Sequence, residues 1–290
     1  KSFESYINNS FKDERLRMLL KFPVLFLGAK PKDTPALYSL MNYAGLKLGT
    51  WYPMGGMYEM IKAMINIAES KGVKFHYNTA VEEIIHSNNR VKELKTLNEN
   101  HKIDGLIASG DYHHIESNLL TVKYRNYDER YWGKKTFAPS SLIFYLGVNK
   151  KIDKLIHHNL FFDTDFEKHA FEIYDRPQWP EDPLFYVCCP SKTDPLVAPE
   201  GHENIFILIP LAVGLEDNEQ LRNEYFEKVL NRLEKYTGTD IKGAIEYKRS
   251  YCINDFINDY NAYKGNAYGL ANTLSQTANL KPKIKNKKIK

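Results

Sequence analysis

Gly49-Thr50-Trp51-Tyr52-Pro53-Met54-Gly55-Gly56-Met57 runs straight into an amphipathic pattern, and this block constrains the fold more than any other. A glycine pair at a helix entry has no Cβ to hold a flat ligand away from the backbone. It also leaves free N–H groups pointing outward. Trp51, Tyr52 and Pro53 give the turn a stiff aromatic wall. Met57, Met60, Ile61, Met64, Ile65 and Ala68 recur at helical spacing, with Gly72 where a C-terminal cap belongs. Val73, Phe75 and Tyr77 alternate as a strand does, a second short strand covers Val81 to His86 before a turn at Ser87-Asn88-Asn89, and Val91 to Leu97 reads as another strand of imperfect apolar spacing. Asn98 to Lys102 reads as another turn, and Ile103 to Ala108 as an apolar strand leading into Ser109-Gly110-Asp111.

Residues 1–48 read as helical, interrupted at Pro23, Pro31 and Pro35. Ser140 to Val148, Leu160 to Phe162, Leu184 to Cys189, Ile205 to Leu211 and Ile245 to Tyr251 have the character of strands. Leu221, Tyr225, Val229, Leu230 and Leu233 mark a helix stopped by Gly238. The pattern predicts an open, mostly antiparallel sheet backed by helices, within an α+β composite chain.

Charge and cysteine usage exclude several classes. The formal net charge of +4 comes from six lysines among the last ten residues, which leaves 34 basic against 36 acidic groups over residues 1–280. No basic face for nucleic acid follows from that balance. The tail reads as a solvated loop rather than as a lipid-binding segment. No stretch approaches the roughly 20 apolar residues that span a bilayer. Three cysteines, two of them adjacent at 188 and 189, make neither a disulfide framework nor a metal-ligand spacing, so no metal site is expected. His113 and His114 are adjacent and cannot share one helical face, so they are assigned no chemistry.

The order aromatic-Pro-x-Gly-Gly, helix, strand, Val-x-x-Ile, hairpin and apolar strand into Ser-Gly-Asp resembles the phytoene desaturase family. These are bacterial-type carotenoid desaturases, within the FAD-dependent amine-oxidase-like oxidoreductases. Ser2-Phe3-Glu4-Ser5-Tyr6, Phe22-Pro23-Val24-Leu25-Phe26-Leu27-Gly28, Thr34-Pro35-Ala36-Leu37-Tyr38 and Gly265-Asn266-Ala267-Tyr268-Gly269-Leu270 extend the likeness over nearly the whole chain. The resemblance implies FAD as cofactor, with Trp51, Pro53, Gly55, Gly56, Met57, Val81, Ser109 and Asp111 near it. Asp111 serves equally as a helix N-cap. It further implies an apolar polyene substrate against Phe22, Phe26, Tyr268 and Gly269, and names no catalytic side chain.

The implied organisation is a helical substrate- or membrane-facing segment over 1–48, part of a Rossmann-like FAD-binding domain over 49–120 and a substrate-binding domain over 121–262. Residues 263–290 begin the return to the FAD-binding domain. The implied reaction is desaturation of a carotenoid precursor such as phytoene, in the cytoplasm with peripheral membrane contact. Alternatives sharing these motifs are a carotenoid isomerase, a retinol saturase-like enzyme or a carotenoid terminal oxidase. A flavin-free lipid-binding protein resembling Rab GDP-dissociation inhibitor is the alternative of another class. Two departures stand out: no Gly-x-Gly-x-x-Gly occurs, and no second Gly-rich segment follows. An internal piece of a longer protein is therefore expected.

Overall fold

The structure is a computed structural model that describes residues 1–289, with the side chains of residues 25–27 outside the described residues. The chain opens with helices α1 (Phe3–Ser10) and α2 (Glu14–Lys21). Each is capped by a side-chain oxygen, from Ser2 to the Ser5 N–H at 3.2 Å and from Asp13 to the Arg15 and Leu16 N–H groups at 2.9 and 3.0 Å. Pro23 and Pro31 then turn the chain into short 3-10 pieces, as expected of residues that cannot continue a helix. Phe3, Ile7, Leu20 and Val24 close a small core of their own. Gly28, at φ +72°, presses this segment against the next unit; a Cβ there would fall 2.2 Å from the Ala138 Cβ.

Helix α3 (Tyr58–Ser70) follows the Gly pair as the periodicity predicts, and none of its residues is buried. Strands β1 (Val81–Ser87), β2 (Arg90–Thr96) and β3 (Asn100–Lys102) form a small antiparallel sheet in that order. Asn88 and Asn89 sit at φ 51° and 58°, the left-handed pair that a two-residue hairpin turn demands. Three sequence expectations are corrected here. Val73 to Tyr77 and Ile103 to Ala108 are not strands: the Ile103 N–H still donates to the Lys92 carbonyl of β2 at 2.9 Å, but no ladder continues past it, and none involves Val73 to Tyr77 among the described residues. Ile107 is 97% exposed. Asn98 to Lys102, read as a turn, instead contributes β3.

The larger unit holds β4 (Ser140–Val148), β5 (His158–Phe161), α4 (Phe166–Tyr174), β6 (Phe185–Cys188), β7 (Glu203–Leu211), α5 (Glu219–Thr237), β8 (Ile245–Tyr251) and α6 (Ile253–Tyr260). The sheet order is β5-β6-β7-β4-β8, and every neighbouring pair is antiparallel. The α+β class and the antiparallel sheet stand as expected; the short helices α4 and α6 are additions. Alternate residues of β4 (Leu142, Phe144, Leu146) and β7 (Ile205, Ile207, Ile209) pack against Tyr225, Phe226, Val229, Leu230 and Leu233 of α5. Burying each such aliphatic side chain contributes about 2 kcal/mol over leaving it exposed.

The opposite face of this sheet carries cross-strand rows. Tyr145, Phe206, Cys188 and His158 lie opposite one another across β4, β7, β6 and β5. Ile143, Leu208, Tyr186 and Leu160 form the next row, and Ser141 faces Pro210 beyond it.

The lysine-rich tail is a largely exposed loop, as expected, anchored at several points. Tyr112 OH donates to the Lys283 carbonyl at 2.6 Å, Lys283 N–H donates to Tyr127 OH at 2.9 Å, and Lys287 N–H donates to Asn126 Oδ1 at 3.1 Å. Lys290 lies outside the described residues. No helix of the described residues is long and apolar enough to cross a membrane.

Candidate functional site

A narrow slot opens on the face of the large sheet that carries these rows. Phe22, Phe162, Tyr186, Leu208, Pro210 and Tyr268 line it. Its cavity volume is only about 30 Å³, so the walls lie nearly in contact. Phe22 and Phe162 meet edge to face with centroids 4.8 Å apart. Two predicted substrate residues far apart in sequence, Phe22 and Tyr268, thus come together here, with Gly269 next in the chain. The backbone places them: Ala138 N–H donates to the Gly269 carbonyl at 2.8 Å and Ala267 N–H to the Pro139 carbonyl at 3.1 Å. Gly269 N–H in turn donates to Asn266 Oδ1 at 2.6 Å. The Phe26 side chain lies outside the described residues.

Ser140 and Ser141 are both buried, and neither hydroxyl has a hydrogen-bond partner. Both line the slot, and strand alternation puts Ser141 on the sheet face of Ile143 and Tyr145. A buried unsatisfied hydroxyl costs about 1–3 kcal/mol. Ser141 is therefore a polar handle at an otherwise apolar surface, and sequence reading gave no sign of it.

The Gly-pair turn sits elsewhere, against the loop between β6 and β7. Gly55 and Gly56 adopt φ +90° and +100°, values that L side chains rarely reach. Gly56 N–H donates to the Pro53 carbonyl at 3.0 Å, and Gly55 N–H donates to Asp194 Oδ2 at 2.6 Å. Asp194 is fully buried and its other oxygen accepts from the Leu196 N–H at 2.9 Å, so one carboxylate clamps both segments. A Cβ on Gly56 would meet only Tyr52 OH and Val197 at 3.8 and 3.9 Å, whereas one on Gly55 would come within 3.0 Å of the Glu59 side chain, so the open space lies beside Gly56. Trp51 is 89% exposed, Met57 is exposed and Pro53 half-buried.

Ser109 and Gly110 line a separate cleft with Ile84, Val91, Leu270, Lys281 and Lys285, of about 790 Å³. That volume is within the range of cofactor and ligand sites. Asp111 acts as the N-cap, accepting from the His114 N–H at 3.0 Å, and its second oxygen accepts from the Tyr263 N–H at 3.2 Å. Val81 starts β1 opposite Thr96 and lines neither cavity. The residues expected near a cofactor therefore fall into two groups, the Gly turn and the Ser109–Asp111 segment, with Val81 apart from both.

His113 pairs with Glu129 at 3.0 Å and lies against Trp132 and Tyr263, a packing role. Cys188, assigned no metal role from its spacing, lies beside His157 and His158, and the ligand atoms of the three are within 4.8 Å of one another. Their separation of some 30 residues hid them from any spacing rule.

A family model described as flavin containing amine oxidoreductase matches residues 1–289. The chain belongs to that family. Among curated relatives, it is 40% identical over 285 residues to the carotenoid 3,4-desaturase of Haloarcula japonica, covering 97% of this chain and 57% of that protein. It is 28% identical over 292 residues to the zeta-carotene-forming phytoene desaturase of Myxococcus xanthus, covering 98% of this chain and 55% of that one. The chain thus spans little more than half the length of these family members.

Among solved structures, reduced UDP-galactopyranose mutase superposes with a TM-score of 0.58 at 14% identity, over 95% of this chain and 57% of that one. An oxidoreductase from Methanosarcina mazei superposes with a TM-score of 0.55 at 18% identity, over 87% and 56%. Both likenesses concern the fold alone. They agree with an α+β amine-oxidoreductase architecture.

Proposed function

We propose that this chain is the central part of an FAD-dependent carotenoid desaturase. The observation that carries the reading is the narrow apolar slot lined by Phe22, Tyr186, Leu208 and Tyr268, in a chain of the flavin-containing amine oxidoreductase family. A hydrocarbon polyene offers no acidic proton and no polar anchor. Its reaction depends on being held in one orientation, away from water, beside an electron acceptor. FAD, when bound, would supply that acceptor for both hydrogens lost from a saturated C–C unit, one leaving as hydride and one as a proton.

The remaining roles belong to this chain. Phe22, Leu208 and Tyr268 pack along the polyene, and the slot's narrowness keeps water out. Gly55, Gly56 and Met57, with Trp51 and Pro53 beside them, and the Ser109–Asp111 segment are assigned to the cofactor. Val81 is retained in the same role through its backbone. Lys281 and Lys285 place positive charge at the second cleft, which suits an anionic cofactor. Residues 49–120 would then be part of the FAD-binding domain, 121–262 the substrate-binding domain and 1–48 a segment touching substrate or membrane surface.

The 40% identity to a protein named carotenoid 3,4-desaturase favours desaturation near the end of an already formed polyene over the first steps on phytoene. Expressing the complete gene in phytoene-making and lycopene-making hosts tests this. The expected result is a yellow protein that releases FAD on denaturation, and a product two hydrogens poorer that absorbs at longer wavelength in the lycopene host. An isomer of unchanged mass, an oxygenated product, or a folded colourless protein with unaltered carotenoids would overturn it.

A further inference from the structure

Three side chains that desaturation does not use meet at the outer edge of the slot face. Cys188 lies directly opposite His158 in the β5–β6 ladder, and Cys189 N–H donates to the His157 carbonyl at 2.8 Å, so the backbone fixes all three positions. The ligand atoms of His157, His158 and Cys188 lie within 4.8 Å of one another. A hydroxyl orients each ring: Thr193 Oγ1 is 2.7 Å from His157 Nδ1, and Tyr186 OH is 2.6 Å from His158 Nδ1. The two imidazoles are stacked at a tilt with centroids 4.3 Å apart, and Tyr52 packs edge-on to His157 at 4.9 Å.

We propose that His157, His158 and Cys188 form a binding site for a zinc-class divalent ion, with the fourth position open to solvent. Two imidazoles and a thiolate are the borderline-soft donors that zinc prefers. Thr193 and Tyr186 are outer partners of the kind that hold ligating rings in place. Burial lowers the pKa of both histidines, and the charge of His158 adds to this at His157, which favours the neutral, ligating form. Burial raises the Cys188 thiol against a smaller opposite effect of the Tyr186 hydroxyl, so the incoming ion displaces a proton from sulfur. Tyr186 also lines the slot, so an ion here restrains one slot wall through His158. This site stands whether or not the substrate is a carotenoid.

The test is cobalt titration of the purified protein, freed of metal with chelator. The expected result is one equivalent of tightly held Co²⁺, with tetrahedral d–d bands and a thiolate-to-cobalt charge-transfer band, all bleached by added Zn²⁺. Cys188→Ser should abolish the charge-transfer band, and His158→Gln should weaken binding at least about tenfold. Circular dichroism checks the folding of each variant; should Cys188→Ser fail to fold, His158→Gln carries the comparison. Absence of the charge-transfer band in the folded wild type, or unchanged binding in folded His158→Gln, would overturn the proposal.

Discussion

In β7, Ile205, Ile207 and Ile209 are all fully buried, whereas in α3 Met60, Ile61, Met64 and Ile67 stay between 43% and 63% exposed. Both segments are periodic and apolar, one with period two and the other with period 3.6. The β7 residues have β4 and β6 beside them and α5 packed over them. Helix α3 has no buried residue at all. Periodicity therefore assigns a face to each residue, but only a neighbour turns that face into a core. An uncovered apolar stripe of this kind contributes little to the stability of the described chain.

The comparison breaks most readily at Ile207. Ile207→Ala should cost about 3 kcal/mol, seen as a lower urea midpoint at unchanged slope. A cost below about 1 kcal/mol would mean that the β7–α5 contact is not the packed core described.

A smaller effect is expected at the polar join of α5 to α6. Arg222, itself buried, reaches Asp217 at 2.6 Å and Asp255 at 2.8 Å. Burial pushes the Asp217 carboxyl up, but the Arg222 guanidinium and the Asn254 N–H outweigh it and hold the acid below its ordinary range. Since the folded pKa is the lower one, the stability it contributes is present above about pH 4, the unfolded value, and is lost as pH falls through the folded value. Asp217→Asn should cost about 2 kcal/mol at pH 7, and the gap from wild type should shrink in acid. Unfolding midpoints at neutral and acid pH decide it; a gap independent of pH would assign the loss to packing instead.

The smallest effect belongs to α3. Met64→Gln should change stability by no more than about 0.5 kcal/mol, with α3 amides exchanging faster than those of β7. A cost above about 1.5 kcal/mol would show that α3 is covered after all and remove the contrast.

Much of the large sheet was legible because its central strands β4 and β7 are nine residues long and apolar. Ser140–Val148 and Ile245–Tyr251 emerged with the expected limits. The failures at Val73 to Tyr77 and Ile103 to Ala108 share one cause: an alternating run becomes a strand only when a ladder partner satisfies its backbone. Helix α6 escaped because its eight residues are few for a periodic signal, and its Cys252–Asp255 cap is not a common one. At the site, Phe22 and Tyr268 were read from family likeness and do share the slot. Ser141, Tyr186 and Asp194 carried no signal, since each acts through contacts distant in sequence.

The amino-acid order alone determined the left-handed glycine pair, the helix behind it, the alternation of the sheet strands and the family likeness. Each depends on residues within a few positions of one another, where sterics and spacing act directly. Tertiary structure decided the rest: that Asp194 holds the glycine turn, that Phe22 faces Tyr268 across one slot, and that His157, His158 and Cys188 converge. Strand register and loop docking set those meetings, and neither is encoded in any short stretch of the chain.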